Sequence, residues 1–309
     1  MIQIDETIIR KLILHRINSE EDKSIISNHL SDYSNDEEAN VLKRIFLKSF
    51  ISHSSTFEFK HEIDINYNVL YKLSKSVYED DEFVENTKNI LQHLISVSKH
   101  PNIKDGDLFI AKFEDIKLNN KFYEGLGIFK FEDKESFIET EAMSKEINFK
   151  FRKGIGSKKP DKACLIIFSD EPYTLLIIDS NSNETDYWQN EFIKHKTKND
   201  FINNTTDFLS LTKSFVTQQI PQDFKVSKTD QIDLLNRSVE YFKSHDNFDK
   251  QEFENEVLHH TDIINSFRDF DESYRRKNEL EQFNNFEISQ QAVKKQARVF
   301  KRVLKLDKF

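Results

Sequence analysis

The chain has 309 residues and a mass of 36.8 kDa, with 45 Lys+Arg against 54 Asp+Glu for a formal charge of −9. That length corresponds to about two domains at roughly 150 residues each, or to one large α/β unit. Five Gly, four Pro and 37% hydrophobic residues exclude collagen-like chains, long flexible linkers and a disordered chain, while 28 Phe supply bulky surface for a core.

Residues 7–17 (TIIRKLILHRI) are rich in Ile and Leu and short enough for a strand. Asn35 followed by Glu38 is a helix start, continued by Val41, Leu42, Ile45, Phe46 and Phe50 at helical spacing. A second helix is expected over 81–97, with Phe83, Ile90 and Leu94 on one face. Residues 107–116 and 121–131 read as a hairpin joined at Leu118-Asn119-Asn120, with Gly125 and Gly127 marking a bulge or a close backbone approach. The runs 162–168 (KACLIIF) and 173–179 (YTLLIID) are nearly continuous in apolar residues, as central strands buried on both faces are.

The second half reads as helical. Thr205 or Thr206 is expected to cap a helix carrying Phe208, Leu211 and Phe215, with Pro221 as its stop. Ser227 and Asp230 form a capping-box pattern ahead of Ile232, Leu235, Val239 and Phe242. Asp249 caps a further helix with Phe248 and Phe253 as a staple, and Ile263, Phe267, Phe270 and Tyr274 mark another. Residues 290–306 alternate apolar and basic from Ala297 onward, which predicts an edge strand after a short helical turn. The expected fold is α+β: a body with a mixed sheet over residues 1–220, then a smaller helical part over 221–309.

Charge is unevenly spread. Residues 145–162 sum to +5 and residues 291–309 to +6, leaving −20 for the rest, of which 246–287 hold −7. Clustered Lys and Arg neutralise phosphates and release condensed counterions whatever the global charge. The bland alternative is a pair of solvated edges, because Lys also protects exposed strands.

Other chemistries are weaker. Gly154-Ile155-Gly156-Ser157-Lys158-Lys159 imitates a phosphate loop but lacks the Walker spacing and is followed by Pro160. Asp179-Ser180-Asn181-Ser182-Asn183 imitates half a calcium loop, with Glu184 where Gly is needed and Asn190 where Glu is needed. Glu256 and His259 have metal-ligand spacing without a second such motif, and no HExxH occurs. A metal nuclease would need an acid-x-Lys pair and a carboxylate on a neighbouring strand; Asp107, Asp115 and Lys117 all fall on one strand, and Asp161 has no partner pair. Cys164 sits in an apolar run as a buried thiol, no GxSxG elbow occurs, and a single cysteine allows neither a disulfide nor a cysteine zinc cage. No run approaches ~18 apolar residues and MIQIDETIIRK lacks a signal-peptide pattern, so a soluble cytoplasmic protein without membrane contact is expected.

The stretch from Phe151 to Phe215 is the most distinctive. Its basic GIGSKK turn, its K-A-C-L-I strand, the tripeptide Asp186-Tyr187-Trp188 and the Phe-rich helix that follows resemble the nucleoid-associated protein family NdpA, also called YejK, in its Bacteroidetes-type members. Leu12–Ile17 and Lys294–Lys308 are similar to that family too. Similar proteins continue past Lys308 into another β-stretch, whereas this sequence ends at Phe309.

The resemblance implies a bacterial, nucleoid-located, homodimeric protein that binds double-stranded DNA with little sequence preference and carries no established catalytic residues or cofactor. The expected DNA contacts are Lys150, Arg152, Lys153, Lys158, Lys159 and Lys162 in one group. Lys294, Lys295, Arg298, Lys301, Arg302 and Lys305 form the other. The alternatives are a module that recruits a DNA-processing protein, and a divalent-metal nuclease.

Overall fold

The apolar runs read as strands assemble into one antiparallel sheet. The computed structural model describes residues 2–306 except 52, 54, 80–81, 99–103, 144–145, 157, 181–186 and 279. Two compact units result, residues 1–53 with 57–197, and residues 54–56 with 198–309. The helix ahead of Pro221 therefore packs within the second unit.

In the first unit, in chain order, lie β1 (Ile2–Gln3), β2 (Ile8–Ile17), α1 (Asp36–Ile51), β3 (Phe57–Phe59), α2 (Val69–Tyr78) and α3 (Phe83–Val97). They are followed by β4 (Gly106–Leu118), β5 (Lys121–Phe131), β6 (Glu135–Met143), β7 (Glu146–Gly154), β8 (Lys162–Ile167), β9 (Thr174–Asp179) and β10 (His195–Thr197). The large sheet runs β1-β4-β5-β8-β9-β3-β10, with β2 also paired to β4. The fold is α+β, but the sheet expected to be mixed is antiparallel in every described pair.

Helices cover both faces of this sheet, which is why β8 and β9 read as unbroken apolar runs. Leu108, Ile110, Leu126, Ile128, Cys164 and Ile166 face Leu70, Ile90, Leu91 and Leu94 of α2 and α3. The alternate residues Ala111, Phe113, Phe129, Ala163, Leu165 and Ile167 face Phe46, Leu47 and Phe50 of α1. Asn119 (φ 50°) and Asn120 (φ 63°) close the β4–β5 hairpin, since Asn tolerates the left-handed conformation that a two-residue turn demands. At Gly127 a Cβ would lie 2.4 Å from the Phe129 ring, so the glycine marks a close approach. The expected α1 start also holds: Asn35 Oδ1 accepts from the Glu38 N–H at 2.9 Å.

The second unit contains α4 (Phe201–Ser214), α5 (Ile220–Asp223), α6 (Lys228–Ser244), β11 (Asn247–Asp249), α7 (Lys250–Phe253), α8 (Thr261–Lys277), β12 (Asn285–Glu287) and α9 (Gln290–Leu306). Its core gathers Phe208, Phe215, Phe242, Phe248, Phe253, Phe267 and Phe300. The Ser227–Asp230 capping box and the Asp249 cap form as read. Two expectations fail. Asp200, not Thr205 or Thr206, caps α4; the two threonine hydroxyls bond back to the Phe201 and Ile202 carbonyls inside the helix. Pro221 does not stop the chain's helical path, because a π turn over Phe215–Gln219 precedes it and leaves it in the first turn of α5, where no i−4 donor is needed.

Candidate nucleic-acid interface

The first basic group begins on a two-stranded ribbon. Among the described residues, strands β6 and β7 pair only with each other, and every side chain described between Glu135 and Lys153 is exposed. Register places Glu139 opposite Lys150 and Phe137 opposite Arg152. Lys150 Nζ donates to Glu141 at 3.2 Å and Arg152 Nε to Glu139 at 2.8 Å. The Arg152 hydrogen bond holds the Glu139 carboxyl below its usual range. Lys153 is exposed on the opposite face of the ribbon, and Lys159 is exposed in the segment beyond it.

Lys158 is half-buried and donates to Asp161 Oδ1 at 2.9 Å, a hydrogen bond that raises its pKa. Ser157 of the GIGSKK turn lies outside the described residues. Lys162 corrects an expectation: it is 2% exposed and donates to Asp179 Oδ1 at 2.6 Å, with its ammonium 5.1 Å from the centroid of the Tyr187 ring. It is a core residue of β8 and presents no charge to solvent. Lys130 lies beside it under the same ring, donating to Lys104 O, Glu132 and Tyr187 OH, and its burial lowers its pKa.

The second basic group is helical, which corrects the edge strand expected over 297–306. Apolar residues at 293, 297 and 300 follow a period near 3.6, and Val293 and Phe300 are buried in the Phe-rich core with Ala297 packed against it. Basic residues 294, 295, 298, 301, 302 and 305 fall on one stripe of the same helix. Lys294, Lys295, Arg298 and Lys301 are exposed. The side chains of Arg302 and Lys305 lie outside the described residues. No acidic residue occurs between Glu287 and Asp307.

Residues 13–306 match the family described as nucleoid-associated protein YejK. The chain belongs to that family. Membership gives this YejK-family chain a nucleoid-associated role. No curated protein matched it. Among the described residues no helix is long and apolar enough to cross a membrane. Of the residues that carried the likeness to YejK, Asp186 lies outside the described set, while Tyr187 and Trp188 open a buried π turn over Tyr187–Ile193.

Among the described residues the nuclease and thiol chemistries weighed on the sequence do not assemble, and Asn181, Ser182 and Asn183 of the calcium-like loop lie outside those residues. Asp107 is salt-bridged to Arg16 (2.7 Å) and Lys134 (2.8 Å) at one end of β4, about 26 Å along the strand from Asp115 at its bulge. Asp161 is engaged by the Glu132 N–H and by Lys158. Burial pushes the Cys164 thiol up, so it is a poor nucleophile. His259 Nδ1 lies 2.8 Å from the Asn255 carbonyl rather than joining Glu256. Instead His245, Glu252 and Glu256 bring one potential ligand atom each within 4.8 Å of one another, the two glutamates being exposed. Reading for charge missed the ribbon's apolar side chains; the signal was the alternation Ile147, Phe149, Phe151 across Asn148 and Lys150.

Proposed function

We propose that the chain binds double-stranded DNA with little sequence preference and without catalysis, chiefly through the basic stripe of α9. The single observation that carries this reading is six Lys and Arg on one helical stripe in a stretch free of acidic residues. Each ammonium or guanidinium that meets a phosphate releases condensed counterions, so affinity comes from the backbone and carries no base information. Lys153, Lys158 and Lys159 of the first unit form a separate, smaller contact. Lys162 is withdrawn from it, since Asp179 already balances its buried charge.

With all six α9 cations on phosphates, log affinity falls against log salt with a slope near −5. Fluorescence anisotropy of a labelled duplex across 50–200 mM salt, a range over which six contacts cost about 10³ in affinity, measures that slope. A flat titration removes the proposal. Nicking of plasmid in Mg²⁺ or Mn²⁺ would instead favour the nuclease alternative.

A further inference from the structure

Metal-ligating side chains converge at one place in the second unit, where α6 ends and α7 begins. Among the described residues, His245, Glu252 and Glu256 are the one group of three that brings a ligand atom from each within 4.8 Å of the others. Local chemistry places them there. His245 is the C-cap of α6, in extended backbone (φ −115°, ψ 143°) with its N–H on the Tyr241 carbonyl. Asp249 caps α7, and the π turn over Glu254–Leu258 continues it. Glu252 and Glu256, four residues apart along this path, thereby come together.

What distinguishes the trio from an exposed acidic pair is Tyr241, which is 4% exposed and reaches two of the three ligands. Its carbonyl lies 2.8 Å from His245 Nδ1, with Ser244 Oγ as a second partner at 3.1 Å. A carbonyl only accepts, so Nδ1 carries the ring hydrogen and Nε2 keeps a lone pair for a metal. Nε2 lies 4.0 Å from Glu256 Oε2. The Tyr241 ring stacks on the imidazole with centroids 4.2 Å apart, and its hydroxyl donates to Glu252 Oε2 at 2.9 Å. Metal-bound histidines are oriented in this way, by an acceptor on the other ring nitrogen, and metal-bound carboxylates by hydrogen bonds of their own. Among the described residues no Lys or Arg forms an ion pair with Glu252 or Glu256.

We propose that His245, Glu252 and Glu256 bind a divalent ion of the Zn²⁺ class, with water completing its coordination. Such an ion holds its ligands ~2.0–2.2 Å away, which sets them ~3.3 Å apart in a tetrahedron. Rotation of the exposed glutamate side chains closes the present spacing to that value. Imidazole suits Zn²⁺ and its first-row neighbours, whereas Mg²⁺ takes oxygen ligands in a near-ideal octahedron. The ion pins the end of α6 to the start of α7 across β11. None of the three residues is a proposed phosphate contact, so this inference stands apart from the DNA reading.

The test uses the full chain, stripped of metal with EDTA and carrying no histidine tag. Calorimetric titration with Zn²⁺ is expected to show one site per chain, weakened at least ~10-fold in His245→Gln and in Glu256→Gln. Glu256 is exposed, so its variant keeps the fold even where the histidine variant does not. Co²⁺ gives a second reading: visible absorption typical of low coordination should appear with the natural chain and be lost in Glu256→Gln. No saturable Zn²⁺ uptake, uptake undiminished in the two variants, or uptake abolished by His259→Gln/His260→Gln instead would each overturn the proposal. So would displacement of Zn²⁺ by a ~100-fold excess of Mg²⁺, which assigns the group to a hard, oxygen-ligated ion. A flat salt slope for duplex binding removes the DNA reading and leaves this site standing.

Discussion

The two basic segments hold similar net charge, +5 over 145–162 and +6 over 291–309, yet they spend it differently. In the first, Lys150, Arg152, Lys158 and Lys162 each have a carboxylate at 3.2 Å or less. In the second, the helix itself carries no acid between Gln290 and Leu306, although Lys295 is also engaged by a neighbouring group. A count of Lys and Arg along a chain therefore measures charge present. Whether that charge is available to a polyanion depends on what the fold sets against it.

The sharpest way to break this contrast is at Lys162. Lys162→Met leaves the buried Asp179 without its cation and should cost about 3–5 kcal/mol in urea unfolding, with duplex affinity of the folded protein unchanged. A loss under about 1 kcal/mol would return Lys162 to the exposed set. Next in size, Lys294→Glu/Arg298→Glu/Lys301→Glu should lower duplex affinity on the order of 100-fold and cut the salt slope by about 3. Unchanged binding in that variant would refute the role given to α9.

Acid acts on the first unit through two buried imidazoles. Burial holds His15 down to about 4; its ring accepts the Ser27 N–H at Nδ1 and faces Thr87 Oγ1 at Nε2, so a second proton would oppose an N–H. His195 is likewise held to about 4 by burial. As pH falls from about 6.5, the unfolded chain takes up protons that these folded-state imidazoles refuse until about pH 4, so stability decreases across that window. Chemical unfolding at pH 7 and pH 5 checks the sign, and equal stability at the two would mean water reaches both rings. The smallest effect is expected on the ribbon: Lys150→Gln/Arg152→Gln should change duplex affinity by less than about threefold, since those charges are already matched by Glu141 and Glu139.

Much of the fold was legible where local chemistry and burial agree. The Asn119-Asn120 turn, the doubly covered β8 and β9, the Ser227–Asp230 box and the Phe248/Phe253 staple each follow from side chains within a few residues of one another. The π turns were not legible, because a one-residue widening of a helix leaves no periodic trace over five residues. From Ala297 onward the chain reads with a period of two because Ala297-Arg298, Phe300-Lys301 and Leu304-Lys305 set apolar beside basic residues; the longer spacing 293, 297, 300 points to the helix that forms. At the candidate interface, sequence located the basic clusters but could not tell Lys162, facing Asp179 from the next strand, from Lys159 in solvent.

Helix α9 sets Lys294 against Arg298 and Arg298 against Lys301, four and three residues apart. Like charges at those separations push against the coil that carries them, by a few tenths of a kcal/mol per pair. Under the proposed DNA contact, ionic strength therefore acts on this element in opposite senses, firming the helix itself by screening these repulsions while loosening its grip on a phosphate chain.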